Sequence, residues 1–142
     1  MAIGKGYKQL LADAERRIQT IDVEEAKSLL GQNDVVFVDV RDVRELDQAG
    51  MIPGAVHAPR GMLEFWVDPD SPYHRDVFAS GKRFVFYCAA GWRSALATDT
   101  VAGMGLAPVC HIAGGFGAWV AAGGAVVPRP SRKPDSTPQK SG

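Results

Sequence analysis

Residues 84–97 read Phe-Val-Phe-Tyr-Cys-Ala-Ala-Gly-Trp-Arg-Ser-Ala-Leu-Ala, and this stretch decides the fold. Its first four residues are apolar and predict a buried strand that ends at Cys88. The residues from Ser94 onward are typical of a helix, and a short turn around Gly91 separates the two. Strand, tight turn and helix in this order are the unit from which parallel α/β domains are built.

The turn between this strand and this helix predicts a pocket that binds an anion. Ala89, Ala90 and Gly91 are small and leave the backbone N–H groups uncovered, and glycine tolerates the positive φ that lets these groups converge. The positive end of the helix dipole points at the same place, and Arg93 adds a fixed charge. We therefore expect Cys88 to exist partly as a thiolate, a nucleophile held among N–H donors.

Cys88 has a second interpretation, as an inert buried thiol at the end of a strand. The combination of strand end, glycine turn, arginine and helix start argues against it. The other cysteine, Cys110, lies in a different predicted strand. Two cysteines do not make a disulfide framework. A bridge between them is conceivable from the sequence, but it would block the proposed nucleophile.

Outward from this stretch, predicted strands alternate with predicted helices. Apolar runs predict strands at 35–38, 55–58, 84–87 and 108–112. Apolar spacing and capping residues predict helices at 7–21, 23–30, 42–46, 74–80, 94–103 and 116–122. Asp22, with Glu25 three residues later, is typical of a capping box. The alternation predicts an α/β domain with a mainly parallel central sheet and helices on both faces.

The two ends of the chain differ from its centre. Residues 7–21 repeat apolar side chains at helical spacing, and this face either packs on the chain's own domain or pairs with a partner. We expect a monomer, or a homodimer through this helix. Residues 128–142 hold prolines and basic residues without a large apolar side chain, which predicts a disordered tail. We assign residues 1–20 to the amphipathic helix and 21–127 to the domain.

Length and composition limit the class of protein. The chain has 142 residues, enough for one domain with a sizeable core, and 46% of them are hydrophobic. The formal net charge is zero, so no global field attracts nucleic acid or a membrane surface. No apolar run approaches the roughly 20 residues that span a bilayer, and the N-terminus lacks a signal-peptide h-region. We therefore expect a cytoplasmic protein without nucleic-acid or membrane partners.

The sequence favours chemistry without a metal or a cofactor. Cys110 and His111 are adjacent in a predicted strand, so they face opposite sides and cannot readily bind one metal ion. The remaining histidines, His57 and His74, stand apart from any ligand spacing. The glycine-rich segment 114–117 does not match the dinucleotide-binding fingerprint in sequence or context.

The cysteine loop resembles the active-site loop of rhodanese-like sulfurtransferases, and the supporting motifs follow in the family's order. Residues 39–41, Asp-Val-Arg, resemble the Asp-x-Arg that ends an early strand there, and Glu45 resembles the acidic position that follows. Residues 50–55 resemble the Gly-His-Ile-Pro-Gly-Ala turn, with Met51 in place of the histidine. Residues 114–119 resemble a late Gly-Gly-x-x-x-Trp. The resemblance implies a three-layer rhodanese-like fold.

The resemblance implies sulfur transfer through a persulfide. The thiolate of Cys88 would attack the outer sulfur of a donor such as thiosulfate, and an acceptor, cyanide or a thiol, would then take that sulfur. Cys88 and Arg93 are the implied catalytic residues. The implied substrate-binding residues of the loop are Ala89, Ala90, Gly91, Trp92 and Ser94.

Loop length separates this hypothesis from its alternatives. The phosphatases and arsenate reductases related to this fold carry Cys-x5-Arg, a larger ring that suits a tetrahedral oxyanion. The chain carries Cys-x4-Arg, which suits a single persulfide sulfur. A phosphatase or arsenate reductase is therefore the weaker alternative. A persulfide carrier or regulatory binding module without turnover is the stronger one.

Four flanking residues and one loop residue have roles that the sequence leaves open. Arg41 and Arg60 are assigned to attract anionic donors to the pocket mouth, although Arg41 also fits a structural ion pair. Asp39 and Glu45 are assigned supporting roles. Glu45 either pairs with the loop arginine and orients it or is a solvated surface carboxylate. Trp92 either stacks over the pocket or caps the surface.

Overall fold

The computed structural model describes residues 2–130 and contains a five-stranded sheet. Its strands are β1 (Gln19–Ile21), β2 (Val35–Asp39), β3 (Val56–His57), β4 (Arg83–Tyr87) and β5 (Val109–Ile112). They lie in the order β1-β5-β4-β2-β3, and each neighbouring pair is parallel. Asp39 pairs with Tyr87, so β2 and β4 end at the same edge of the sheet. The predicted parallel α/β sheet is confirmed.

Helices cover both faces of this sheet. They are α1 (Tyr7–Arg17), α2 (Val23–Leu29), α3 (Val43–Ala49), α4 (Leu63–Val67), α5 (Trp92–Gly103) and α6 (Gly115–Ala121). Short 3₁₀ helices lie at Arg60–Met62 and Asp76–Ala79, so the predicted helix at 74–80 is a single tight turn. The turn at 50–55 is confirmed, with Ala55 donating to the carbonyl of Ile52 at 3.1 Å.

The sheet separates two hydrophobic cores because alternate residues of each strand face opposite sides. Val85 and Cys110 belong to the core beneath α2 and α6, where Trp119 is fully buried. Phe86 and Cys88 belong to the core beneath α4 and α5. The two cysteines therefore lie on opposite faces, and both are free thiols.

The first helix ends earlier than its periodicity predicts. α1 stops at Arg17, and Gln19–Ile21 forms the edge strand β1 beside β5. A strand of three residues is too short to show alternation, and its pairing partner is distant in the sequence. The prediction of helix over residues 18–21 was wrong for that reason.

The inner side of α1 packs on the chain's own domain. Ala14 is fully buried, and Arg17 donates two hydrogen bonds to the carboxylate of Asp99 on α5, at 2.8 and 2.6 Å. These contacts agree with the first of the two interpretations of this helix. Homodimer formation through α1 stays a prediction.

The two-way capping box forms at Asp42 rather than at Asp22. Asp22 accepts a bond from Glu25 N at 2.9 Å, which is half of the box. At α3 the side chain of Asp42 accepts from Arg44 N, and Glu45 accepts from Asp42 N at 3.0 Å. This box fixes the carboxylate of Glu45 at the start of α3, close to the cysteine loop.

After α6 the chain returns to the turn that follows α3. Val127 forms an antiparallel bridge with Met51, and the guanidinium of Arg129 contacts Asp47 at 2.6 Å. Most of the predicted tail, residues 131–142, lies outside the described residues, and the domain boundaries stay predictions. No helix within residues 2–130 is long and apolar enough to cross a membrane.

Candidate active site

The sulfur of Cys88 is surrounded by backbone donors at the carboxyl end of β4. The residue is only 1% exposed. Its Sγ accepts hydrogen bonds from Gly91 N at 3.2 Å and Ser94 N at 3.3 Å. Gly91 makes this curl possible because its φ is +105°, a left-handed conformation that residues with a side chain rarely adopt. The predicted cradle of N–H groups is present.

The same sulfur caps a helix. Ser94 is the third residue of α5, and its N–H is one of the groups that a helix leaves without an internal partner. The residue before the helix, Gly91, has no side chain that could accept a hydrogen bond from this N–H. Cys88 Sγ accepts that hydrogen bond instead. The positive end of the α5 dipole therefore points at the sulfur and favours negative charge there.

The start of α6 holds the outer side of the loop. Phe116 N donates to the carbonyl of Cys88 at 2.7 Å, and Gly117 N donates to that of Ala89 at 3.0 Å. A Cβ on Gly115 would lie 2.5 Å from the carbonyl oxygen of Cys88, and the φ of Gly115 is +61°. Gly115 is thus required for the helix to approach the loop.

Arg93 forms a bidentate ion pair with Glu45. Nη1 donates to Oε2 at 2.8 Å and Nη2 donates to Oε1 at 3.0 Å. The hydrogen bond with Arg93 lowers the pKa of Glu45, so the carboxylate stays ionised. Of the two interpretations of Glu45, the structure shows the ion pair. The positive charge of Arg93 interacts with Cys88 at a distance, and within residues 2–130 no hydrogen bond joins the two side chains.

Arg41 lies in the core rather than at the pocket mouth. It is 2% exposed and forms an ion pair with the buried Asp39, with Nη2 at 2.7 Å from Oδ2. The same nitrogen donates to the carbonyl of Gly50, and the guanidinium lies 4.3 Å from the ring centroid of Phe116. These contacts agree with the structural ion pair and place the guanidinium away from solvent, and a role in binding a donor has no contact to support it. Arg41 links the end of β2 to the helix that holds the cysteine loop.

The structure does not bring Arg60 to the loop. Its guanidinium donates to Glu64 at 2.9 Å and to Thr100 at 3.3 Å. Thr100 lies six residues beyond Ser94 on α5, about 9 Å along the helix axis. A role for Arg60 in binding a donor stays a prediction without a contact to support it.

Trp92 points outward from the loop. Its side chain is among the exposed large hydrophobic groups, and its ring centroid lies 5.1 Å from that of Tyr7 on α1. The ring therefore caps the junction between α1 and the loop instead of covering the sulfur. This placement agrees with the surface interpretation.

A chain of polar groups lies behind the sulfur, buried at Ser94 and His111, and the sequence did not predict it. Ser94 Oγ lies 3.5 Å from Cys88 Sγ and 2.9 Å from His111 Nδ1. His111 Nε2 lies 3.2 Å from Thr20 Oγ1, and burial lowers the pKa of His111 to about 4. The alternation in β5, which puts His111 on the face opposite Cys110, is the signal that could have found it.

Within residues 2–130, no group of three or more His, Cys, Asp or Glu side chains is arranged to hold a metal ion. The arrangement that remains is a buried cysteine at a helix N-terminus, with two backbone donors, one hydroxyl and a nearby guanidinium. Chemically, it can hold an anionic sulfur and a negatively charged group attached to it.

Comparisons with known proteins agree with this chemistry. Residues 22–122 match the rhodanese-like domain family. The chain is 34% identical over 105 residues to the thiosulfate sulfurtransferase/rhodanese-like domain-containing protein 3 of Mus musculus, covering 70% of this chain and 67% of that protein.

Two solved structures extend the comparison. A protein of unknown function from Rhodopseudomonas palustris CGA009, described as a possible tyrosine phosphatase, is 51% identical with a TM-score of 0.87, covering 89% of this chain and 98% of that one. The polysulfide-sulfur transferase homodimer of Wolinella succinogenes is 26% identical with a TM-score of 0.66, covering 87% and 88%.

Proposed function

Because the chain belongs to the rhodanese-like family, we propose that it is a sulfurtransferase that works through a persulfide on Cys88. The donor is an anion with a transferable outer sulfur, such as thiosulfate, and the acceptor is cyanide or a thiol. One observation carries this proposal: Cys88 Sγ accepts hydrogen bonds from Gly91 N and Ser94 N at the start of α5. Such a site stabilises the thiolate that sulfur transfer needs.

The reaction consists of two displacements at sulfur. In the first, the Cys88 thiolate attacks the outer sulfur of thiosulfate, an S–S bond forms, and sulfite leaves with the electron pair of the broken bond. In the second, the acceptor attacks the outer sulfur of the persulfide, and Cys88 leaves as a thiolate. Both leaving groups are stable anions, so no general base is required, and ping-pong kinetics follow.

The loop residues divide the work of holding charge. Gly91 and Ser94 hold the inner sulfur through their N–H groups. We assign the outer, anionic sulfur to the backbone N–H groups of Ala89, Ala90 and Trp92. Arg93, fixed by Glu45, supplies the positive charge that favours an anionic donor near the loop.

The relatives support a sulfur donor of this type. The mouse relative carries thiosulfate sulfurtransferase in its name, and the Wolinella succinogenes structure is a polysulfide-sulfur transferase. Thiosulfate and polysulfide both present a terminal sulfur bonded to another sulfur. A cytoplasmic location belongs to this proposal because a reducing compartment keeps the Cys88 thiol available.

A phosphatase is the second candidate because the 51%-identical Rhodopseudomonas palustris protein is described as a possible tyrosine phosphatase. The Cys-x4-Arg loop argues against it, since the loop is one residue shorter than the Cys-x5-Arg loop of related phosphatases.

Intact-mass measurement after incubation with thiosulfate tests the proposal. Wild-type protein and the matched control Cys110→Ala should each gain one sulfur atom, whereas Cys88→Ala should gain none. Adding cyanide should remove the sulfur and produce thiocyanate. Thiocyanate formation by Cys88→Ala would exclude Cys88 as the nucleophile.

Two further outcomes identify the alternatives. A stable Cys88 persulfide that neither cyanide nor thiols discharge would identify a carrier or regulatory module. Rapid hydrolysis of an aryl phosphate that depends on Cys88 would identify a phosphatase.

A further inference from the structure

A continuous chain of hydrogen-bonding groups runs from the catalytic sulfur to the edge of the sheet. Cys88 Sγ lies 3.5 Å from Ser94 Oγ, which lies 2.9 Å from His111 Nδ1. On the other side of the imidazole, Nε2 lies 3.2 Å from Thr20 Oγ1. His111 is 1% exposed, whereas Thr20 lies on the edge strand β1 and is exposed to solvent.

Resting on the proposed function, we propose that His111 and Thr20 are positioning residues that let the Ser94 hydroxyl reverse its direction with the charge on Cys88. In one direction the hydroxyl accepts a hydrogen bond from the thiol. In the other it donates to the thiolate or persulfide. A neutral imidazole has one donor and one acceptor nitrogen and can exchange them, which a fixed donor such as lysine cannot do.

The proton balance of this reversal is complete. With a thiol, S–H donates to Ser94 Oγ, the Ser94 hydroxyl donates to His111 Nδ1, and Nε2–H donates to Thr20. When the thiol ionises, its proton passes to Ser94, and the Ser94 proton passes to Nδ1 of His111. On the other side of the ring, the Nε2 proton passes to Thr20, and the Thr20 proton passes to water. The thiol loses one proton and solvent gains one, while the imidazole stays neutral and changes only its tautomer.

The surroundings of the ring favour a tautomer change over a charge change. Burial alone lowers the pKa of His111 to about 4, so the ring is neutral at neutral pH. Its β4 neighbour is the apolar Phe86. Arg93 interacts electrostatically with Cys88, and it also interacts with the carboxylates of Glu45 and Asp39.

Nitrogen NMR of the imidazole tests the reversal directly. Protein labelled with ¹⁵N at histidine should show Nδ1 unprotonated while Cys88 is a thiol and Nδ1 protonated once Cys88 ionises. The exchange should follow the same pH range as the alkylation rate of Cys88 and should be absent in Cys88→Ala. A His111 tautomer that stays constant while Cys88 ionises would overturn the proposal.

Alkylation of Cys88 against pH tests the effect on the sulfur. All variants carry Cys110→Ala, so that a single thiol reacts. Ser94→Ala removes a hydrogen bond to an anion and should raise the pH midpoint of alkylation by about one unit. His111→Leu should raise it equally, and Ser94→Ala with His111→Leu should raise it no further, because His111 acts through Ser94.

His111→Asn and His111→Gln separate positioning from packing. The Asn amide can occupy the place of Nδ1 and should restore most of the midpoint, whereas the Gln amide reaches toward Thr20 and should restore little. Equal midpoints for His111→Asn and His111→Leu would overturn the proposal. Thr20→Val should give a smaller rise than His111→Leu, since it removes only the outer end of the chain.

These measurements read ionisation of Cys88 and do not depend on sulfur transfer. Wild-type protein that forms no persulfide but shows the tautomer exchange would refute the proposed function alone. Persulfide formation without any tautomer exchange would refute the relay alone.

Discussion

The two cysteines of the chain lie on neighbouring stretches of the sheet, are equally buried and differ in everything around them. Cys88 is 1% exposed and Cys110 is 0% exposed. Backbone N–H groups and a hydroxyl surround Cys88, whereas Cys110 packs in the apolar core beneath α2 and α6, with Arg83 Nη2 3.9 Å from its sulfur. Burial raises the pKa of Cys110. Backbone geometry, and not burial, therefore separates the candidate nucleophile from a packing thiol.

The largest expected effect is the loss of this geometry in Gly115→Ala. The new Cβ would meet the carbonyl oxygen of Cys88 at 2.5 Å in a backbone conformation with φ +61°. We expect a loss of about 3 kcal/mol of stability from strain and displaced backbone. Denaturant unfolding measures it, and the alkylation rate of Cys88 should fall toward that of Cys110.

Gly117→Ala is the matched control on the same helix. Its Cβ would lie 3.5 Å from the carbonyl oxygen of Ala89, an ordinary contact, and the φ of Gly117 is not positive. A Gly115→Ala protein as stable as the Gly117→Ala protein would contradict the docking of α6 on the loop.

The second-largest effect expected is a loss of folding stability in acid, caused by His111 on the Cys88 side of the sheet. The pKa of His111 is lowered to about 4, so the unfolded chain, with a histidine pKa near 6.5, binds the proton more readily. Stability is therefore complete above about pH 6.5 and is lost as the pH falls toward 4, by roughly 2 kcal/mol at pH 5. Urea unfolding at several pH values measures this, and His111→Asn should flatten the curve in that window. An unchanged slope in His111→Asn would assign the effect to other groups.

Cys110→Ala should cost about 1–2 kcal/mol of stability because it leaves a small cavity in the core beneath α2 and α6. The rate of sulfur transfer should stay within about twofold of wild type. Cys110 lies on the opposite face of the sheet from Cys88 and has no role in the proposed mechanism. Steady-state thiocyanate assays measure the rate. A large loss of turnover in a folded Cys110→Ala protein would remove the distinction between the two cysteines.

The smallest effect expected is that of Glu45→Gln on stability. The pair with Arg93 is partly exposed, so its removal should cost about 0.5–1 kcal/mol or less, and added salt should reduce the difference. Asp47→Asn, which breaks the surface pair with Arg129, is the matched control. Cys88 alkylation should slow less in Glu45→Gln than in Gly115→Ala, because the backbone donors remain. If alkylation slowed more in Glu45→Gln than in Gly115→Ala, the charge of Arg93, and not the backbone donors, would be the main source of thiolate stabilisation.

Local patterns were sufficient to predict much of the molecule. Apolar runs located the core strands, and the motif around Cys88 located the turn and the start of α5. The pairing of Glu45 with Arg93 was one of two open interpretations. These features depend on residues that are close in sequence or on motifs with a fixed geometry.

The features that were missed depend on distant contacts. The strand Gln19–Ile21 exists because β5 offers an open edge, which no local periodicity records. Arg41 had two open interpretations, and its guanidinium lies in the core because Asp39, Gly50 and the ring of Phe116 surround it there. His111 acquires its place beside Ser94 only when β5 packs beneath α5.

Because the sulfur of Cys88 caps α5, the melting temperature of the domain should report chemical changes at that sulfur. A helix cap contributes about 1 kcal/mol, which in a domain of this size corresponds to a few degrees in Tm. Any reagent that changes the sulfur of Cys88 therefore changes how the first turn of α5 is satisfied. A thermal-shift screen of candidate donors follows: a compound that deposits a sulfur on Cys88 should move the melting curve of wild-type protein and leave that of Cys88→Ala in place. The natural donor could be sought in this way before any acceptor is known.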